Sequence, residues 1–379
     1  MTERTMAIAD LFKTRQPIET ALGLYFTEAE KDVWEEISTD LLSFSFSDSE
    51  TNAADSLSIT LKDETGKWAQ RWKPDPGERV KASIKKIIDG KVVGTLNCGK
   101  FFVDTMKVQG APRTFEMGAV SIPLNKPIRK LIKSKAWEKT SLKKIASAIA
   151  EEADIELLWD SESDPEYDRV DQKKESDLKM VSRLCDEAGL SIKVTDDKLV
   201  IFDQHSYENK KPVKTVTLGE SDVLNYSFET SQSDLYKSVT VSYRSPKKKK
   251  KGRAGGYTFD LKTGRKVTKK KTSNPAVFTY TATDPEADEN GQEYYLKSRC
   301  TSIDEAKRKA TAMLRKLNRR GVTGDLTVVG DIDLVAGAVV AVKGFGIFDG
   351  NFIIGNAKHD YGSNGYITSI QLRRVQKGY

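Results

Sequence analysis

The sequence predicts a mainly β protein of the α+β class, with two β units of similar size and helical segments between and within them. Three patterns indicate this. Apolar and polar residues alternate, as in half-buried strands, from about residue 32 to 120. Near 140–189 and 302–321, apolar residues instead recur at helical spacing. The alternating pattern returns between and after these segments. A chain of 379 residues suggests two to four compact units.

The first β unit is predicted from about residue 32 onward. In the run LLSFSF at 41–46, large apolar residues alternate with serines, and 57–61 repeats the pattern. The two prolines and the glycine of KPDPG at 73–77 favour a turn, and Asp89-Gly90 favours a tight hairpin. Further strands are predicted at 79–88, 101–108 and 114–120. Several short strands at this spacing are typical of a small antiparallel barrel or sandwich.

The middle of the chain is predicted to be α+β. A helix is expected to begin near Thr140-Ser141, and a second one to end at Gly189, a residue type favoured just past helix C-termini. A hairpin over 191–194 and 198–202 should follow. The apolar stripes of the two helices consist of Leu142, Ile145, Ala146 and Ile149, and of Leu178, Val181, Leu184, Cys185 and Ala188.

The second β unit is predicted from strands at 213–218, 223–229, 238–243, 325–329, 338–342, 352–354 and 366–372. Ser302 and Glu305 form a capping box that opens a helix ending at Gly321. The expected buried stripe of that helix is Ile303, Ala306, Ala310, Met313/Leu314 and Leu317. We expect 238–243 to pair with the C-terminal strands, which would join the halves of the second unit across the helical insert.

The net charge of +7 is concentrated in one segment. Between Arg244 and Lys271 there are 13 Lys/Arg and one acid, Asp260, an excess larger than that of the whole chain, so the remainder is mildly acidic. This argues against a broad polyanion-binding face. The runs themselves are candidate contacts for DNA phosphates or another polyanion, although such loops are usually only solvated. They consist of Lys247, Lys248, Lys249, Lys250, Lys251, Lys269, Lys270 and Lys271.

No catalytic residue, cofactor site or metal site is predicted. Three separated cysteines provide neither a CxxC pair nor a disulfide framework, and there is no P-loop or GxGxxG after a strand. His359-Asp360 is interpreted as an exposed pair near a turn rather than a catalytic dyad. The acids Asp160, Glu162, Asp164 and Glu166 are interpreted as a solvated loop, with a glycosidase pair or a calcium site as alternatives.

The sequence also suggests where the protein is made. The N-terminus lacks the pattern of a signal peptide, and no apolar run approaches the roughly 20 residues that span a bilayer. We therefore expect assembly in a bacterial cytoplasm and release by lysis.

Trp68, Trp72 and Trp137 are either interface anchors or core residues, and the sequence does not choose between the two.

Four groups of motifs occur in a fixed order along the chain. They are 41–46 with 54–63, Trp68 and 72–77; 134–142 with 145–150; 176–178 with 181–189; and 302–324 with 335–337 and 352–355. Together they resemble phage late control D proteins, the baseplate hub family of contractile tails, which is related to the hub half of VgrG-type spike proteins. The first 30 residues and the lysine-rich insert fall outside the resemblance.

The resemblance implies a non-enzymatic structural subunit with two similar antiparallel β-barrel tube domains. Three copies would form a ring of pseudo-sixfold symmetry between the sixfold tail tube and the threefold central spike of a phage tail or tail-like bacteriocin, beside other baseplate proteins. Nucleic acid would meet the protein only in transit through the lumen. The implied boundaries are an N-terminal extension (1–31), the first barrel (32–125), a middle domain (126–215), the second barrel (216–245 with 322–379) and an insertion (246–321).

Two alternative functions remain at this stage. One is a baseplate-associated peptidoglycan hydrolase, which would need a convergent acid pair or zinc ligands. The other is a DNA-contacting module that acts through the basic insert, which would bind in a salt-dependent manner.

Overall fold

The structure is a computed structural model that describes residues 18–27, 31–32, 34–51, 54–122, 128, 131–195, 198–231, 235–244, 258–259, 266–267, 277–288, 290–298, 300 and 302–376. The chain divides into two compact units. The large unit comprises Met1–Cys185, Leu190–Thr230 and Val322–Val375, and the small unit comprises Asp186–Gly189, Ser231–Gly321 and Gln376–Tyr379. The finer domain boundaries given above stay a prediction.

The helices begin and end largely where the sequence places them. Ser141 and Ser302 cap their helices by accepting from the backbone N–H of Lys144 and Glu305, and Gly189 has a φ of +76° after a helix end. The helices are α1 (Trp34–Ser38), α2 (Lys67–Gln70), α3 (Leu142–Glu152), α4 (Asp177–Ala188), α5 (Gln204–Glu208) and α6 (Ile303–Asn318). One detail was wrong: Ile303 is 53% exposed, because α6 packs through its alanines and Leu314.

Strands form most of the described chain, which confirms the mainly β prediction. They are β1 (Ile18–Phe26), β2 (Lys31–Asp32), β3 (Leu41–Ser49), β4 (Ser56–Lys62), β5 (Arg79–Ile88), β6 (Lys91–Gln109), β7 (Thr114–Val120), β8 (Ile132–Ser141), β9 (Glu156–Asp160), β10 (Glu166–Ser176), β11 (Leu190–Thr195), β12 (Lys198–Asp203), β13 (Lys214–Thr217), β14 (Val223–Thr230), β15 (Tyr236–Arg244), β16 (Thr258–Phe259), β17 (Lys266–Val267), β18 (Val277–Thr283), β19 (Gln292–Leu296), β20 (Val322–Val329), β21 (Val339–Lys343), β22 (Gly350–Gly362) and β23 (Gly365–Arg374).

One sheet of 13 strands is the framework of the large unit. Its order is β14-β20-β23-β22-β3-β4-β7-β6-β5-β1-β2, and β21 with β13 lies beside β22. Neighbours are antiparallel except β13 and β21. Among the described strands, hydrogen bonding leaves the sheet open and closes neither β unit into a barrel.

Among the described residues, two hydrophobic cores lie along this sheet. The first combines side chains from β1 and β3–β7, including Leu24, Phe44 and Phe101, so these strands curl around a common interior. The second is formed by β13 and β20–β23, with Leu326 and Phe352 among its buried members. Sequence analysis assigned no strand to β1, yet β1 pairs along its whole length with β5 and contributes to the first core.

The middle segment of the large unit is α+β, as predicted. β11 and β12 form the expected hairpin, β12 also pairs in parallel with β9, and β8 pairs with β10. Leu142, Ile145, Leu184 and Cys185 are all buried, which confirms the two helical stripes. No described helix is long and apolar enough to cross a membrane.

The small unit corrects one predicted pairing. β15, which was expected against the C-terminal strands, instead pairs with β18 and β19. Val239 and Val241 of β15 are fully buried and share a core with Ala306 and Leu314 of α6. The C-terminal strands have no free edge to offer, because β20 lies between β14 and β23, and β23 lies between β20 and β22.

Candidate functional site

Cys98, Cys185 and Cys300 are all buried, and burial raises the pKa of the Cys98 and Cys300 thiols away from the reactive thiolate range. No set of three or more His, Cys, Asp and Glu side chains that could hold a metal ion occurs among the described residues. The lysines at 247–251 and 269–271 lie outside the described residues, so their polyanion contact stays a prediction.

The acidic loop before β10 has local structural roles. Asp160 accepts a hydrogen bond from the Tyr207 hydroxyl at 2.7 Å, and Asp164 accepts one from the backbone N–H of Lys143 at the start of α3. Asp160, Glu162, Asp164 and Glu166 are all exposed. This arrangement fits the solvated loop rather than a glycosidase pair, whose acid lies in an apolar pocket.

The interpretation of His359 as an exposed loop residue was wrong. His359 lies within β22 and is 0% exposed. Its Nδ1 is 2.8 Å from the Tyr366 hydroxyl and 3.3 Å from that of Thr368. Burial lowers the pKa of His359 to about 4, against the opposing pull of nearby carboxylates such as Asp48. The imidazole is therefore a neutral core side chain.

The tryptophans occupy different environments. Trp68 is 3% exposed, belongs to the first core, and donates its indole N–H to Asp40 at 2.9 Å. Trp72 packs edge-on against Trp68 but remains 37% exposed beside a cavity that Phe26 and Ile37 also line. The core alternative thus holds for Trp68, whereas Trp72 lies at the edge of that core and is partly exposed.

The main feature of the large unit is an internal repeat. Five strands in the first half are ordered β3-β4-β7-β6-β5, and five in the second half are ordered β14-β20-β23-β22-β21. Chain order and spatial order agree strand by strand, and all neighbouring pairs in both sets are antiparallel. The two β units therefore share one topology.

Two irregularities are shared by the two units, although the β5·β6 ladder has two further register shifts that β21·β22 lacks. The β3·β4 ladder shifts register across Leu42, and the equivalent β14·β20 ladder shifts across Leu224. The β6·β7 ladder shifts across Asp104, and the β22·β23 ladder shifts across Gly355. Bulges bend and twist a strand at a defined point, so the two shared bulges place these bends at equivalent positions of equivalent strands.

A pair of glycine turns completes the correspondence. Gly77 donates its N–H to the carbonyl of Val103 in β6, and Gly337 does the same to Ile354 in β22. The two glycines have φ values of +85° and +82°, a region that residues with a Cβ adopt only at a cost. Each turn leads into the strand, β5 or β21, that pairs with the long strand.

The two units are joined into one sheet by β3 and β22. Seven pairs from Ser43↔Gly362 to Ser49↔Asn356 form this junction. Phe46 stacks on His359 across it, with ring centroids 5.8 Å apart. The first strand of one unit thus pairs with the fourth strand of the other, in a head-to-tail arrangement.

A buried ion-pair network holds the middle segment against this junction. Arg373 on β23 bonds to Glu50, which follows β3, at 2.9 Å and to Glu208 of α5 at 2.6 Å. Gln204 of α5 donates to the same Glu50 carboxylate. All four residues are buried, so each charge depends on its partners for stabilisation.

A second, largely buried contact ties the hairpin β11–β12 to β3 and to the loop that follows it. Lys193 of β11 bonds to Asp48 and lies 3.1 Å from Asp55. Asp48 also accepts from the backbone N–H of Ala336. Sequence analysis missed both networks. Arg373 and Lys193 lie in strands, and the alternation of apolar and polar residues in a strand does not show that another segment covers its polar side chains.

Comparison with known proteins agrees with this architecture. The family model "Phage tail baseplate hub (GPD)" matches residues 129–365. A probable baseplate hub protein of Escherichia phage 186 is 26% identical over 360 residues, which cover 90% of each chain.

Two solved structures share the fold at low identity. A 43 kDa tail protein of prophage MuSo2 from Shewanella oneidensis has a TM-score of 0.64 at 12% identity, over 94% of this chain and 99% of that one. A component of the Escherichia coli type VI secretion system has a TM-score of 0.52 at 13% identity, over 90% of this chain and 75% of that one. Since the family match covers more than half of the 379 residues, the protein belongs to the phage tail baseplate hub (GPD) family and is a structural component of a tail baseplate.

Proposed function

We propose that three copies of this chain form a ring that adapts the sixfold tail tube to the threefold central spike. The observation behind this proposal is the internal repeat, with its shared strand order and matched bulges. Two equivalent units per chain and three chains give six equivalent units around one axis. A ring of that kind offers a sixfold tube six similar contact surfaces.

The parts of the chain outside the repeat would supply the threefold surface. The middle segment of β8–β12 and the strands of the small unit occur once per chain. In a trimer they would therefore appear three times, in register with a threefold spike. The tube protein, the spike protein and neighbouring baseplate proteins are the proposed partners, and nucleic acid would pass only through the lumen of the ring.

The proposed role is geometric rather than catalytic. The strongest candidates for acid–base chemistry are a buried neutral histidine and an exposed acidic loop, and neither has the environment of a general acid. Purified protein should leave peptidoglycan intact in turbidity and zymogram assays. Clearance that one carboxylate substitution abolishes, with the fold retained, would contradict this role.

Stoichiometry and symmetry test the proposal directly. Light scattering on the purified protein should give three times the mass of one chain, and class averages of negatively stained particles should show six lobes around a channel. Six lobes should alternate between two kinds, because the two units differ in sequence. A stable ring with another number of chains would refute the symmetry-adaptor role.

A further inference from the structure

The core of the first β unit ends in a pocket of about 210 Å³. Its inner wall is apolar, because Ile59 and Leu61 of β4 lie beside Met117 and Phe115 of β7 on the core side of the sheet. A cavity of roughly 150 Å³ with a similar lining is enough to bind benzene. The pocket is therefore large enough to hold the ring of an aromatic side chain.

The outer wall of the pocket is formed by α2, and hydrogen bonds fix its position. Trp68 donates its backbone N–H to Asp63 at 2.9 Å and its indole N–H to Asp40 at 2.9 Å. Asp63 is itself buried and also accepts from the Arg113 side chain at 3.2 Å. Trp72 packs edge-on against Trp68, with ring centroids 5.8 Å apart. This aromatic wall is thus preorganised, which lowers the entropy cost of binding a ligand against it.

The exposed side of the pocket is lined by two cations and one acid. Arg71 and Lys73 are both exposed, and neither has an ion-pair partner in the described part of the chain. The acid is Glu78, whose carboxylate accepts the backbone N–H of Asp75 at 3.1 Å. A carboxylate next to the bound ring would interact with both cations. The charges at the mouth therefore favour an aromatic group that is accompanied by an acid.

The pocket depends on residues that the internal repeat does not duplicate. Residues 63–78 connect β4 to β5 and include α2, whereas the equivalent strands β20 and β21 are connected by residues 330–338, which contain no helix. In that shorter connection, Leu334 is fully buried in the second core. The two β units thus differ at this end, although they share one strand order.

The pocket lies at the end of the strands that the middle segment does not cover. Leu61 is next to the last residue of β4, and Phe115 is next to the first residue of β7. At the other end of β7, the hydroxyl of Ser121 donates to the carbonyl of Val194 in β11 at 3.1 Å. A partner can therefore reach the pocket without displacing the middle segment.

We propose that this pocket binds an aromatic side chain adjacent to an acidic residue, presented by another protein that docks at this end of the first β unit. The ring would lie between Trp68 and Met117, where the thioether favours contact with an aromatic ring. The acid would lie beside Arg71 and Lys73. The site is complete within one chain, so it does not depend on the trimeric ring.

Methyl NMR on the full-length protein tests the site with two peptide probes, acetyl-Phe-Asp-amide and acetyl-Phe-Asn-amide. The methionines carry ¹³C-methyl groups, and M117L identifies the Met117 resonance. The Asp peptide should shift that resonance to saturation through the ring current of its phenyl group and should leave Met180, which is buried in α4, unchanged. At low salt it should bind about threefold more tightly than the Asn peptide. A Met117 resonance that neither peptide shifts would overturn the proposal.

Variants separate the apolar part of the site from the charged part. R71Q/K73Q should remove the preference for the Asp peptide, whereas K91Q/K107Q, which neutralises two exposed lysines of β6, should keep it. I37W, which fills the pocket from α1, should weaken both peptides about tenfold. Should I37W fail to fold, R71Q/K73Q still decides the charged part. Equal affinities for the two peptides in the unmodified protein would overturn the acidic partner. A loss of oligomer mass in I37W by light scattering would show that a second copy occupies the pocket and would overturn a separate partner.

Discussion

Replacing His359 by valine is expected to remove a specific pH dependence of stability. Valine is the residue that the repeat places at the equivalent position, Val108, so the substitution suits the strand. Burial lowers the pKa of His359 from 6.5 to about 4 in the folded protein. The fold therefore favours the neutral imidazole, whereas the unfolded chain gains a proton as soon as the pH falls below about 6.5.

The sign and size of the effect follow from those two values. The stabilisation is complete above pH 6.5 and is lost as the pH falls from 6.5 toward 4. At roughly 1.4 kcal/mol per pKa unit, the free energy of unfolding should fall by about 3 kcal/mol over that range because of this one group. The carboxylates near His359, which include Asp48, Asp331 and Asp360, oppose the effect of burial and reduce it.

Urea unfolding followed by tryptophan fluorescence measures the effect at several pH values between about 7.5 and 4. This range covers the expected transition and about one pH unit above it. The difference between the wild-type and H359V free energies should change by about 3 kcal/mol across it. Other titrating groups are common to both proteins and cancel in the difference. H205V, which removes the other histidine from an exposed position on α5, is the matched control. Parallel curves for wild type and H359V would show that His359 titrates normally and would refute the argument from burial.

Two further outcomes are expected. R373M should cost about 3–5 kcal/mol in urea unfolding, because it removes the cation that bonds to two buried carboxylates, Glu50 and Glu208. Removing both carboxylates together with the arginine should cost clearly less. G77A and G337A should each cost about 1–2 kcal/mol, since both residues have positive φ, and unequal costs would show that the two turns are not equivalent.

Local structure was largely predictable from the sequence. Alternation identified β3, β4, β5 and β7, and the caps Ser141 and Ser302 marked the starts of two helices. These signals depend on neighbours a few residues apart, so they can be read without the fold. The order of the family motifs added the baseplate hub assignment, which the family match confirms.

Contacts between distant segments were not predictable in the same way. Strand 238–243 has the alternation of any half-buried strand, and that pattern does not say which edge it pairs with. His359 and Arg373 are polar residues in strands, and each is buried only because another segment covers it.

The internal repeat also separates what the sequence shows from what only the fold shows. The sequence by itself determined that two β-rich stretches flank helical segments, because periodicity is encoded locally. Only the tertiary structure decided that these stretches share strand order, bulges and glycine turns, since Phe44 and Tyr226, or His359 and Val108, are equivalent by position and differ in side chain. Many different sequences can form the same backbone hydrogen bonds. Two units can therefore share one topology although their side chains differ.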